Sequence, residues 1–217
     1  MEKEFWNVRW QNNQLGFHQP EINTYLTNHF PRIAPQPARV LVPLCGKSRD
    51  MIWLREQGHH VVGIEFIEKA MHDFFSEHGI EATLDRSNGA VRGSGDNIDF
   101  IAGDFFDCGR EYIGEVDYVY DRASLIALPV DMRPRYAAHL LNILGSGTKI
   151  FLLALSYDQS KTDGPPFSVQ PDEVKRLFGE RCLIEEVCHE TTERIPPRFA
   201  DAGMKEISQY GWLLTVR

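Results

Sequence analysis

A mostly parallel α/β sheet, closed at its C-terminal edge by an antiparallel hairpin, is predicted by three observations in this 217-residue sequence. Apolar runs of strand length alternate with helix-period segments as far as about residue 178. The stretch from Arg39 to Glu65 is a complete βαβ unit in itself. Two strand-like runs then close the chain without a helix between them, which favours antiparallel pairing. The length fits one domain, 1–217, able to bury roughly 70 per cent of its unfolded surface. Within it, 1–37 reads as an N-terminal helical segment and 38–217 as the sheet core.

Taken in order, residues 2–12 form a short helix with Trp6 and Trp10 four apart on one face, followed by a polar segment and Gly16-Phe17-His18. Two tryptophans on so short a helix either dock on the sheet or form a lid over a ligand. A second helix, about 21–29, is expected to end before Pro31, because a proline restricts the residue ahead of it. In the βαβ unit, Val40-Leu41-Val42 is a buried strand and Cys45-Gly46-Lys47 a turn. Ser48 caps a helix with Asp50 in its first turn and Met51, Ile52 and Leu54 on one face; Gly58 stops it. His60 to Ile64 is the second strand, and it delivers Glu65.

Residues 68–78 carry Ala70, Met71, Phe74 and Phe75 at helical spacing, with Gly79 as the left-handed stop. Residues 80–97 read as a surface hairpin between turn signals. Strands follow at Asn97–Ala102, ending at Gly103-Asp104-Phe105-Phe106, and at Val116–Tyr120, ending at Asp121-Arg122. A helix interrupted at Pro129 runs to Leu144, and the most apolar run, Thr148–Tyr157, is the natural central strand. A loop with Gly164-Pro165-Pro166 leads to a helix at Pro171–Phe178. The closing strands, about 183–191 and 206–216, are joined by a loop with Pro196, Pro197 and Arg198.

The chemistry concentrates at the ends of the early strands. Glu65 lies about 20 residues after the turn, the spacing at which an acid meets the ribose of a nucleoside. A dinucleotide would need G-x-G-x-x-G, and only Gly46 is present. A triphosphate loop would need a glycine where Leu41 stands. A nucleoside without a pyrophosphate remains, and S-adenosylmethionine is the common one; the rival reading is an ordinary βαβ unit with a chance glutamate. Asp104 and Phe105 suit an adenine, the acid accepting from its amine and the ring covering its face, although strand ends also carry Asp as a cap. Arg122 points into the cleft or onto a carboxylate.

Composition narrows the partners. A net charge of −8 and a pI near 5.5 argue against nucleic acid and anionic membranes, which demand a basic face. No apolar run has membrane-spanning length, and the first residues lack the order of a signal peptide, so a cytoplasmic monomer is expected. Cys45, Cys108, Cys182 and Cys188 have no C-x-x-C spacing, which indicates buried free thiols and no metal site.

The sequence resembles the thiopurine S-methyltransferases over nearly its whole length. The resemblance rests on Phe5-Trp6 with Trp10 and Gly16-Phe17-His18, on Val42 to Ser48, and on Gly58-His59 to Glu65. It rests equally on Asp121-Arg122-Ala123, Ser156-Tyr157-Asp158 and Gly164-Pro165-Pro166-Phe167. It implies a seven-stranded class I, Rossmann-like methyltransferase sheet with the hairpin edge and an N-terminal helical lid. The implied activity is methyl transfer from S-adenosylmethionine to the sulfur of aromatic and heterocyclic thiols without metal, leaving S-adenosylhomocysteine. Bacterial members are linked to selenium and tellurium species, hence to tellurite detoxification. Carried over, the cofactor contacts fall on Trp10, Leu44, Glu65, Asp104, Phe105 and Arg122. The acceptor side falls on Phe17, Arg122 and Arg198, with Arg194 as the alternative to Arg198; no residue is assigned covalent chemistry.

Overall fold

The computed structural model describes residues 3–12, 19–87 and 89–217. The chain divides into two compact units, Met1–Tyr120 and Asp121–Arg217. The first holds α1 (Lys3–Gln11), α2 (Thr24–Ile33), β1 (Arg39–Pro43), α3 (Asp50–Glu56), β2 (His60–Glu65) and α4 (Glu68–Glu77). It continues through β3 (Thr83–Asp85), β4 (Val91–Gly95), β5 (Ile98–Ala102), α5 (Arg110–Ile113) and the start of β6 (Tyr118–Arg122). The second unit takes the end of β6, then α6 (Ser124–Ala127), α7 (Arg133–Ile143), β7 (Lys149–Ser156), α8 (Pro171–Phe178), β8 (Cys182–Thr192), α9 (Pro197–Asp201) and β9 (Ile207–Val216).

In the first unit the strand order is β3-β4-β5-β2-β1-β6. The pairs β1–β2, β2–β5 and β1–β6 are parallel. Val40, Leu41, Val61, Val62, Phe100 and Ile101 are all wholly buried, as strands covered on both faces must be. The hairpin expected at the surface is β3–β4, but β4 also pairs antiparallel with β5 along its whole length. It therefore extends the sheet, adding two strands to the seven expected. In the second unit β9 lies between β7 and β8 and runs antiparallel to both, which is the predicted closing hairpin. Among the described residues no helix is long and apolar enough to cross a membrane.

Three local expectations are corrected. Pro31 does not end the second helix: α2 continues to Ile33 with Pro31 inside it. Proline in a helix interior costs about 3 kcal/mol, whereas burying a Phe or Ile side chain returns roughly 1.5–3 kcal/mol each. Phe30 is fully buried edge-on against His59, Tyr118 and Tyr120, and Ile33 is 8% exposed, so tertiary burial outweighs the local preference. β6 starts two residues later than expected, so Asp121 and Arg122 belong to the strand itself. The loop after β8 contains α9, with Pro197 at the first helical position where its missing N–H costs nothing.

Candidate active site

Beside β1 the strand order turns: β2 and β5 follow on one side and β6 lies on the other. Ligands of open α/β sheets bind beyond the carboxyl ends of the strands at such a switch point. Leu44, Glu65 and Asp104 stand directly beyond or at the carboxyl ends of β1, β2 and β5, three adjacent strands of the first unit.

Glu65 is 7% exposed, and each carboxylate oxygen already accepts one backbone N–H. Gly46 N–H donates to Oε2 at 3.2 Å and Ile67 N–H to Oε1 at 3.0 Å. Burial is the dominant influence and pushes the carboxyl up to about 7, against the opposing pull of the N–H groups of Ile67, Gly46 and Phe66. Each oxygen keeps a further lone pair. A buried carboxylate so poised gains from any additional donor, and the vicinal hydroxyls of a ribose supply two.

The turn that offers Gly46 is bent by two left-handed residues, Leu44 at φ 47° and Gly46 at φ 54°. For leucine that conformation costs on the order of 1–2 kcal/mol, and strain of this kind gathers at binding sites. It is held by Cys45 N–H on the Ile64 carbonyl and Ser48 N–H on the Cys45 carbonyl. Ser48 Oγ accepts from Asp50 N–H, but Ser48 stands one residue ahead of the N-cap of α3, which is Arg49 and makes no side-chain capping bond. The turn can approach β2 only because residue 63 is glycine: a Cβ there would lie 2.8 Å from Met51 Sδ and 2.9 Å from Cys45 Sγ. Gly63 was invisible as a site-shaping residue in the sequence, where it reads as one more strand position. Burial, and then the charge of Glu65, push the Cys45 thiol well up, so Cys45 is packing and no nucleophile.

Lys47 is buried and its ammonium is paired with Glu77 at the end of α4. It fastens the turn to a helix, which is not what a triphosphate loop does with its lysine. Lys47→Ala is accordingly expected to leave activity within a few-fold of the parent; loss of activity in the folded variant, together with triphosphate hydrolysis by the parent, would instead make this turn a triphosphate loop. Asp50 exceeds its predicted dipole role. Its carboxylate accepts Asn23 N–H at 2.9 Å and the Tyr120 hydroxyl at 3.1 Å, pinning the start of α2 beside the turn.

Asp104 is exposed and caps a short 3-10 turn, Phe105–Asp107, by accepting from Phe106 N–H at 3.0 Å. One oxygen thus serves the cap foreseen as the alternative. Phe105 is 5% exposed and packs edge-on against the half-buried Phe106. Trp10, on α1, is 3% exposed. Phe17 lies outside the described residues.

In the second unit Arg122 is half-buried at the end of β6, and Ala123 behind it is left-handed at φ 71°. Asp121, wholly buried, accepts the Tyr136 hydroxyl at 2.7 Å, and burial pushes its carboxyl up to about 6. Asp121 therefore ties the strained turn to α7. Arg198 is exposed on α9; its Nη1 donates to the Pro165 carbonyl at 2.6 Å and its guanidinium lies 5.2 Å from the Phe199 ring centre. Tyr157 hydroxyl donates to the Pro166 carbonyl at 2.5 Å, and its ring centre lies 5.0 Å from that of Phe199, the two planes tilted by 54°. Arg198 and the Gly164–Phe167 loop are thereby one cluster, while Arg194 is exposed just beyond the end of β8.

The family model described as Thiopurine S-methyltransferase matches residues 1–217. The chain belongs to the thiopurine S-methyltransferase family. It is 42% identical over 218 residues to the thiopurine S-methyltransferase of Nitrosospira multiformis, covering 100% of this chain and 99% of the relative. It is 47% identical over 184 residues to that of Azotobacter vinelandii, covering 82% and 83%. Among solved structures it resembles Burkholderia thailandensis 1,6-didemethyltoxoflavin-N1-methyltransferase, which holds S-adenosylhomocysteine, with a TM-score of 0.64 at 15% identity over 99% of this chain and 87% of that one. That likeness shows the fold, a class I methyltransferase sheet. Of the family positions expected from sequence, Leu44, Glu65 and Asp104 come together on neighbouring strand ends, whereas Phe105 turns its ring into the core.

Proposed function

We propose that the protein transfers a methyl group from S-adenosylmethionine to the sulfur of aromatic and heterocyclic thiols. The observation that carries the proposal is Glu65, a buried carboxylate at the end of β2 with each oxygen part-satisfied by a backbone N–H and a lone pair to spare. Glu65 fits the ribose diol, and the strained Leu44 turn fits the methionine end of the nucleoside. Asp104 keeps a carboxylate oxygen for the adenine amine. Trp10 and Arg122 complete the cofactor set by family resemblance. The single domain spanning 1–217 is part of this proposal, supported by a family match that runs through both compact units.

The cofactor supplies an electrophilic methyl on a sulfonium. The chain's task is to bind, orient and dry the reacting pair, because a thiolate attacking in line cancels two opposite charges and gains from leaving water. A new C–S bond forms as the old one breaks, and the acceptor's proton has already left to solvent. Arg198 serves that step: one of its N–H donors is spent on Pro165, and the others can hold the acceptor thiolate and favour it over the thiol. Selenolates and reduced tellurium species are softer nucleophiles of the same kind, and we include them as acceptors.

The test is product analysis with a thiopurine, a selenol and tellurite supplied with a thiol reductant, alongside Arg198→Ala. Arg198→Ala is expected to raise the acceptor KM about tenfold or lower kcat, with S-adenosylhomocysteine affinity unchanged and a deficit that shrinks at higher pH. A parent that binds S-adenosylhomocysteine yet methylates none of these acceptors would leave only a nucleoside-binding protein. An Arg198→Ala variant impaired in cofactor binding instead would refute the acceptor role.

A further inference from the structure

Arg133, the first residue of α7, is 2% exposed and has no part in the scheme above. Its Nε donates to the Leu128 carbonyl at 3.0 Å, and its Nη1 donates to the Ser168 carbonyl at 3.0 Å and to Glu173 Oε2 at 2.7 Å. Its guanidinium carbon lies 5.9 Å from the Phe167 ring centre. Two of the three acceptors are loop carbonyls: Leu128 belongs to the loop after α6, shortly beyond Arg122, and Ser168 to the loop after β7. The loop after β7 also touches α6 itself, Phe167 N–H donating to the Ile126 carbonyl at 2.6 Å. Ser168 Oγ bridges both the N–H and the carbonyl of Tyr157, and Arg198 reaches Pro165 in the same loop.

Keeping a guanidinium in such a place is expensive. Burial lowers the pKa of Arg133, and a buried ion pair is often no more stabilising than apolar residues of the same volume. What an apolar replacement lacks is the rigid fork of donors that fixes two carbonyls at once. We propose that Arg133 is a positioning residue for the methyl acceptor, clamping the loop after α6 and the Gly164–Ser168 loop in the one arrangement in which Arg198 meets its substrate. This rests on the reading above that Arg198 faces the acceptor.

Arg133→Lys keeps the charge beside Glu173 and loses the fork, so it separates position from charge. With a thiopurine as acceptor, KM is expected to rise about tenfold while S-adenosylhomocysteine affinity stays at the parent value, since one charge-assisted hydrogen bond carries an effect of that size. In the ligand-free protein, amide exchange at Phe167 should accelerate while Leu152 and Leu153 in β7 remain protected. Arg198→Ala is run in parallel. If Arg198→Ala leaves the acceptor KM unchanged, the acceptor reading fails and takes this proposal with it. If Arg198→Ala raises KM and folded Arg133→Lys does not, or if Arg133→Lys weakens cofactor and acceptor alike, this proposal alone is overturned. Should Arg133→Lys not fold, Ser168→Ala keeps the arginine and removes the two bonds of Ser168 Oγ to the Tyr157 backbone, loosening the same loop; an unchanged acceptor KM there overturns it too.

Discussion

Glu65→Ala is expected to weaken S-adenosylhomocysteine binding by roughly 2–4 kcal/mol, since two charge-assisted hydrogen bonds at about 1.5–3 kcal/mol each are lost without adding fully. Calorimetry reads this directly, and an unchanged dissociation constant would remove the ribose assignment. The burial of Glu65 adds a pH signature. Its carboxyl titrates at about 7 in the ligand-free protein, and hydroxyl donors favour the ionised form, so binding releases a proton wherever the free protein still holds one. Affinity should therefore fall as pH drops below about 7, by up to about tenfold per pH unit, and Glu65→Gln should flatten that slope. For stability the sign is the reverse of the ordinary salt-bridged carboxylate. The folded value lies above the unfolded value of 4.5, so the folded state binds the extra proton between the two. Stability of the ligand-free protein should decline as pH rises from about 4.5 to 7, by roughly 3 kcal/mol from this group at about 1.4 kcal/mol per pH unit. The ligand recovers part of that loss, and thermal shifts at pH 5, 6, 7 and 8 with and without S-adenosylhomocysteine test it.

Deleting residues 1–17 is expected to abolish methyl transfer and leave the rest of the chain folded. The fold should survive because α2 has its own anchors: Asn23 caps Tyr25 N–H, Asn23 N–H is held by Asp50, and Phe30 is buried against Tyr118 and Tyr120. β1 begins only at Arg39. Activity should be lost because α1 has nine residues, too few for a helix to be stable alone, and it carries Trp10, which is 3% exposed. A side chain of that size, buried by so short a helix, makes the helix worth only what Trp10 covers. On the lid reading it covers the cofactor and completes a dry acceptor pocket with Phe17. Circular dichroism, calorimetry with S-adenosylhomocysteine and product formation separate the cases. Full activity in the truncated protein, or failure to fold, would make the tryptophans core residues and end the lid reading; Trp10→Ala should show the cofactor defect on a smaller scale.

Much of this was legible in the sequence because the signals are local. The run Val40-Leu41-Val42, the stop at Gly58, the acid at Glu65 and the later stop at Gly79 each follow from period, turn chemistry and spacing over short stretches. The same locality explains the errors. The effect of Pro31 on its neighbour is local, but Phe30 finds its partners Tyr118 and Tyr120 in a strand far along the chain. The 80–97 hairpin is exposed along β3 as expected, but nothing within it reveals that β4 will pair with β5.

What sequence alone determined is the order of strands and helices, the family, and the place of an acid, Glu65, at the carboxyl end of β2. Only the tertiary structure decided which side chains are spent on holding the fold. Asp50 and Asp121 look alike in sequence to Glu65 and Asp104, yet both oxygens of Asp50 are taken by Asn23 and Tyr120, and one oxygen of Asp121 is taken by Tyr136. Phe105 reads in sequence as a ring at a strand end, and only the structure shows it 5% exposed against Phe106. Gly63 shapes the cofactor turn through atoms of Met51 and Cys45, and Arg133 joins carbonyls 40 residues apart in sequence at Leu128 and Ser168. The reason is physical: whether a polar group is free to meet a ligand depends on the donors and acceptors that burial forces upon it, and those come from distant parts of the chain.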